Sequence, residues 1–134
     1  IDTVSDPEMI DMNLLTVPGI TTDALTNHAI DVCEDRGDAM ALIDLPDVYT
    51  PLHEQYDGGD KSARITSSPN SSATNLKDRQ IDSSYGATFY PWVQTRDANS
   101  GRALWVPPTV AMMGVLASSQ AVSHLWFAPA GFIR

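Results

Sequence analysis

Met12 to Pro46 reads MNLLTVPGITTDALTNHAIDVCEDRGDAMALIDLP, and the order of its signals decides the fold. Met12 to Gly19 is a short apolar run stopped by Pro18-Gly19, the pattern of a buried strand. Thr21 or Thr22 can then cap a helix, and Asp23 suits its positive start. Leu25, Ala29, Val32 and Cys33 recur at helical spacing, and Gly37 is a good stop. Ala39 to Leu45 is a second buried strand. Strand, helix and strand at this length predict a right-handed parallel crossover, so the fold class is α/β.

Order of the same kind returns downstream. Tyr85 to Thr95, YGATFYPWVQT, reads as one strand apolar on both faces and covered on both sides. Pro91 removes a backbone donor and predicts an edge position or a bulge there. Arg96 to Gly101, RDANSG, reads as a hairpin turn, and Arg102 to Val106 pairs back. Pro107-Pro108 then opens a helix, where a missing N–H is no loss. Val110, Met113, Gly114, Ala117 and Ala121 form a face of small and flexible residues that suits close approach to a sheet. HLWFAPAG, from His124 to Gly131, reads as a short strand and a turn, and Trp105 and Trp126 are expected in the core.

Two stretches are different. Residues 1–11 are polar and acidic around Pro7, a lead-in. Residues 47–82 are rich in Ser, Asn, Gly and Asp and read as a polar surface excursion: Gly58-Gly59 marks a turn, TSSPNSSATN (66–75) a loop, and Asn75 to Asp82 a short helix. The 134 residues are expected to form one domain or domain fragment, 1–134. Ile1 at the start and Arg134 at the end suggest a protease-resistant piece of a longer protein.

The net charge of −9 argues against nucleic acid as a direct partner, because phosphate binding needs clustered Lys and Arg. No apolar run is long enough to span a bilayer, and no signal pattern opens the chain. One cysteine excludes an internal disulfide, and no Cys/His spacing suggests zinc.

The candidates for chemistry are few. Cys33 lies on the inferred apolar helix face, where a cysteine is more often core than nucleophile. His28 reads as a boundary residue, and His124 suits the end of a helix. His53, with Glu54, Asp57 and Asp60 nearby, could form a loop metal site, although no ligand spacing is enforced and a solvated loop is the simpler reading. Asp44 and Asp47 flank the C-terminal end of the second strand, where open α/β sheets bind ligands. They are the most enzyme-like feature, yet DLPD (44–47) brings no phosphate cradle and no base, and strand-end acids often cap turns. DGGDK (57–61) lacks P-loop spacing, and no G-x-S-x-G elbow is present. No residue is therefore assigned a catalytic, cofactor-binding or metal-binding role.

Four blocks remain: FYPWV at 89–93, LWVPP at 104–108, MGVLA at 113–117 and LWFAPAG at 125–131. Their order and spacing resemble contractile phage tail sheath proteins, whose pattern runs Tyr-Tyr-Pro-Trp-Val, a hairpin, Trp-Val-Pro-Pro, a helix with Ala-Gly-Val, and Val-Trp-x-Ala-Pro-Ala-Gly. Residues 12–46 are similar to the strand–helix–strand that precedes a polar region in that family. The resemblance covers 12–46 and 83–131. Gln120 stands where the family often has an acid, His124 where it has a small residue, and 47–82 match nothing in it.

The resemblance implies a layered α/β sheet with flanking helices like the subtilisin-like domain of tail sheaths, plus a β-hairpin, with the protease triad absent. It implies a structural protein without enzymatic activity: a subunit of a helical sleeve around the tail tube that contracts during delivery into the host cell. Partners would be other sheath subunits, the tube protein, and baseplate and terminator proteins, in the virion tail and in host cytoplasm during assembly. The isolated piece is expected to be monomeric, because the family's strand-exchanging arms lie outside its core. Residues 50–75 would face outward from such a sleeve. The alternative reading is a fragment of a subtilisin-like serine hydrolase whose nucleophile lies outside the fragment.

Overall fold

The computed structural model describes residues 1–46, 69–124 and 126–129. It is a mixed α/β structure. Strand β1 (Leu14–Thr16), helix α1 (Asp23–Arg36) and strand β2 (Met40–Ile43) follow each other as the sequence predicts. Helix α2 (Pro69–Asp78) and strand β3 (Gly86–Thr88) come next, then the hairpin β4 (Val93–Arg96) and β5 (Ala103–Val106), then helix α3 (Pro108–Val122). β1, β2 and β3 form a parallel sheet in that order, with Leu15 opposite Ala41 and Leu42 opposite Ala87.

Strand alternation sorts the side chains into two faces. Leu15, Ala41 and Ile43 point to α1 and meet Ala29, Ile30 and Cys33, with Leu76 of α2 packed beside them. Leu14 and Met40 point the other way and share a groove with the C-terminal half of α3. The sheet is thus a central layer with α1 and α2 on one side and α3 on the other. At Gly86 the sheet lies tight against α1: an added Cβ would lie 2.9 Å from Ile30 Cδ1.

Helix α1 starts after Thr22, whose side chain makes no capping bond, and stops at Gly37, left-handed at φ 73°. Its buried residues are Thr26, Ala29, Ile30, Val32 and Cys33, whereas Leu25 is exposed. Arg36 closes the end of the helix by donating to the Val4 and Ile10 carbonyls and to both carboxylate oxygens of Asp38. That ties residues 4–10 to the molecule. The hydrogen bond and charge of Asp38 push the Arg36 guanidinium up, and Arg36 holds Asp38 below the usual carboxylate range.

Several expectations are corrected. Residues 69–75 belong to α2 rather than to a loop; Pro69 is the first helical residue, Ser72 is buried, and Leu76 reaches the core. The surface excursion therefore does not run unbroken from 47 to 82, and its first part, 47–68, lies outside the described residues. The stretch 85–95 is two strands in two sheets. The ladder of β3 ends at Thr88, before the cis Tyr90–Pro91 bond, and pairing resumes only at Val93. Pro91 offers no N–H and restricts the residue before it, so a continuous ladder is unavailable there. Trp126 is 78% exposed in a turn, and Trp105 is only half-buried.

The hairpin itself is as predicted, with Gly101 left-handed and Val93 opposite Val106. Asp97 builds its turn by accepting from the N–H groups of Asn99 and Ser100 and from the Ser100 hydroxyl. These donors, the hydroxyl foremost, hold the Asp97 carboxyl below its ordinary range. A depressed folded-state value adds stability above the unfolded value and loses it as the pH falls through the folded one. The Asn99 and Ser100 amide resonances should therefore move together as the pH drops below the ordinary carboxylate range. In Asp97→Asn that transition should vanish; if it persists, the turn is not held by this carboxylate.

Candidate functional site

The strand-end carboxylate is where the structure concentrates its polar contacts. β2 delivers Asp44 directly past Ile43, with only 1% of its surface accessible. Its Oδ2 accepts from the Gly19 N–H at 2.9 Å and from the Thr109 hydroxyl at 2.8 Å, while Oδ1 faces the Thr109 N–H at 3.4 Å. Three distant segments meet on one side chain: the turn after β1, the end of β2, and the first turn of α3.

Each partner is there for a local reason. Gly19 adopts φ 79°, which few side chains tolerate, and so turns its N–H inward. Pro107 is the N-cap of α3 and has no capping side chain to offer, and Pro108 has no N–H. Thr109 is therefore the first residue of the helix with a free amide, and Asp44 supplies the cap that Pro107 lacks. The positive end of the helix favours a carboxylate at that point. Trp92 adds a neighbouring tie by donating Nε1–H to the Leu45 carbonyl at 3.3 Å.

This geometry ties the three segments together. Thr109 is 0% accessible, so its hydroxyl cannot reach a substrate. Neither described histidine bonds to the pair: His28 pairs with Asp2 on the outside of α1, and His124 stacks on Trp126 at 5.4 Å. Asp47, the other strand-end acid, and His53, Glu54, Asp57 and Asp60 lie outside the described residues. Cys33 is 0% accessible, and burial pushes its thiol up, as befits a core residue. Among the described residues, no group of three His, Cys, Asp or Glu is placed to hold a metal.

The other distinctive surface is α3. Its fifteen residues, PTVAMMGVLASSQAV, include no ionisable side chain. Its buried residues are Pro108, Thr109 and Ser119, and the predicted inward face is wrong: Val110, Met113, Gly114, Ala117 and Ala121 all lie exposed. With no charged side to mark the outside, the pattern of the helix could not orient it. Val115, Val122, Trp126 and Phe127 extend the exposed apolar surface. No helix among the described residues is long and apolar enough to cross a membrane. No family model and no curated protein matches the chain.

Proposed function

We propose that the chain is part of a structural subunit of a contractile tail sheath, with a subtilisin-like core and no chemistry of its own. One observation carries the reading. Of the blocks that resemble the sheath family, FYPWV leads into β4 at Val93, LWVPP spans the end of β5 and the start of α3, MGVLA lies within α3, and the described part of LWFAPAG, 126–129, follows that helix. These segments also carry most of the large apolar side chains exposed among the described residues, including Leu104, Val110, Met113, Val115, Val122 and Trp126. Apolar surface on a segment without catalytic groups suits assembly, with sheath subunits, the tube and the terminal proteins of the tail as partners.

The hydrolase alternative draws on the Asp44–Thr109 pair, a carboxylate beside a hydroxyl at a helix start. The burial of both groups favours the structural reading. Negative-stain images of the full-length protein should show sleeves that lengthen with concentration. Failure to polymerise, together with labelling by a serine-directed fluorophosphonate probe, would replace the structural reading with the enzymatic one.

A further inference from the structure

Asn27, Ile30, Asp31 and Glu34 share one face of α1, at the spacing that stacks side chains along a helix. Across from that face runs the segment that leaves α2 and enters β3. Gln80 ends the helical course there at φ 52°, and Arg79, Asp82 and Ser83 meet the α1 residues around a cavity of about 250 Å³. Ile30, Ile81 and Ser83 also line a second cavity of about 160 Å³, so the two spaces adjoin.

The larger cavity is polar. Asp31, Glu34 and Asp82 line it, and its cation, Arg79, is already paired with Asp23 and bonded to Thr26 and Asn75. A guest there meets an excess of negative charge. Two atoms of the residues around it are buried without a hydrogen-bond partner: the Nε–H donor of Arg79, whose side chain is only 4% exposed, and the Oδ1 acceptor of Asn27. Bulk water does not serve either atom. A donor and an acceptor left unmet around one cavity point to a guest that carries both functions.

The smaller cavity is apolar, lined by Ile30, Ile43, Leu76 and Ile81. A dry cavity of about 150 Å³ accepts benzene, so this one has room for a single ring or a short branched chain. Small-molecule pockets usually hold about 300–1,000 Å³. Neither space reaches that range alone, whereas a guest that fills both is of ordinary ligand size.

We infer that the two spaces form one binding site for a small amphipathic amine: a primary ammonium beside an oxygen acceptor, on an apolar group the size of a benzene ring. The ammonium donates to Asn27 Oδ1 and is attracted by Asp31, Glu34 and Asp82. The oxygen accepts from Arg79 Nε–H, and the ring enters the space beside Ile30 and Ile81. The three carboxylates disfavour an anion, and a plain hydrocarbon would leave both orphaned atoms unmet. The inference does not rest on the sleeve reading, because it uses α1 and the segment before β3 rather than the hairpin or α3.

The test titrates 2-amino-1-phenylethanol into the intact, nitrogen-15-labelled chain and follows the backbone amide resonances. It should bind with a Kd of about 1 mM or tighter, as its size allows, and the shifts should centre on residues 27–34 and 79–83. Three relatives each remove one function. Ethanolamine lacks the ring and the N-acetyl derivative lacks the charge; each should bind about tenfold or more weakly. Phenethylamine lacks the oxygen and should bind about threefold or more weakly. The double change Asp31→Asn with Glu34→Gln should weaken the amino alcohol about fivefold or more. Asp35→Asn, on α1 but not among the residues that line either cavity, should leave binding unchanged. All three acids are exposed, and an unchanged circular dichroism spectrum establishes that the fold is kept. Equal binding of ethanolamine, or an equal loss in Asp35→Asn, would reduce the effect to attraction by an acidic surface and overturn the inference. Equal binding of the N-acetyl derivative or of phenethylamine, insensitivity to the double change, or no binding at about 10 mM would overturn it too.

Discussion

Asp44→Ala is expected to destabilise the chain by about 3–5 kcal/mol, a large share of the stability of a domain this size. The substitution strands the Gly19 N–H, the Thr109 hydroxyl and the Thr109 N–H in a site where Asp44 was only 1% accessible. Each unsatisfied buried group costs about 1–3 kcal/mol, partly offset when water enters the space of the lost carboxylate. Asp44→Asn separates shape from charge. An amide oxygen at the Oδ2 position keeps the two short bonds, and its NH₂ then faces the Thr109 N–H, already the long contact at 3.4 Å. Its loss should be smaller, about 1–2 kcal/mol. Urea midpoints for the two variants decide the matter, and a loss under about 1 kcal/mol for Asp44→Ala would mean that the carboxylate is hydrated and locks nothing.

Ile30→Ala should cost about 3–5 kcal/mol, at the upper end for an isoleucine truncation. Ile30 is 3% exposed and lines a cavity of about 160 Å³ with Ile43, Leu76 and Ile81. Truncation there enlarges a space that already exists, so the walls have little to collapse onto. The same side chain presses on Gly86, where a new Cβ would meet Ile30 Cγ1 at 3.0 Å. Gly86→Ala alone should therefore destabilise by about 1–3 kcal/mol through overpacking. Added to Ile30→Ala it should instead recover some stability by filling the vacated space. A double-mutant cycle measured by urea unfolding tests this coupling, and strictly additive losses would show that the two residues do not share the space.

The first half of the fold was legible because its punctuation is local. Pro18-Gly19 and Gly37 each act on their own backbone, and each lies at the end of an element or in the turn beside one. The elements that were misread depend on partners far away in the chain. α2 looked like a loop because its serines and asparagines favour turns in isolation, whereas burial of Ser72 and packing of Leu76 hold it as a helix. Pro69 at its first position was the available local sign. The face of α3 could not be chosen from fifteen residues without a charge, and its contact with the sheet turned on Thr109, a polar residue. Asp44 was picked out as a strand-end acid, but its role depended on a hydroxyl 65 positions away.

That separation also has a temporal side. Asp44 reaches back 25 residues to Gly19 and forward 65 to Thr109. Closing the longer loop costs about 0.8 kcal/mol more chain entropy than the shorter one. β1, α1 and β2 can thus assemble from neighbouring chain while Thr109 is still remote, and on a ribosome they would leave the tunnel several seconds before α3 at about 5–20 residues per second. Throughout that interval the carboxylate has one of its two partner segments and the Leu14–Met40 face of the sheet lacks its helix. Thr109→Ala should accordingly speed unfolding with little change in the folding rate, whereas a truncation at Ala29 or Ile30 should slow folding. A folding arm slowed equally by both would mean that α3 joins the nucleus rather than closing over a sheet already made.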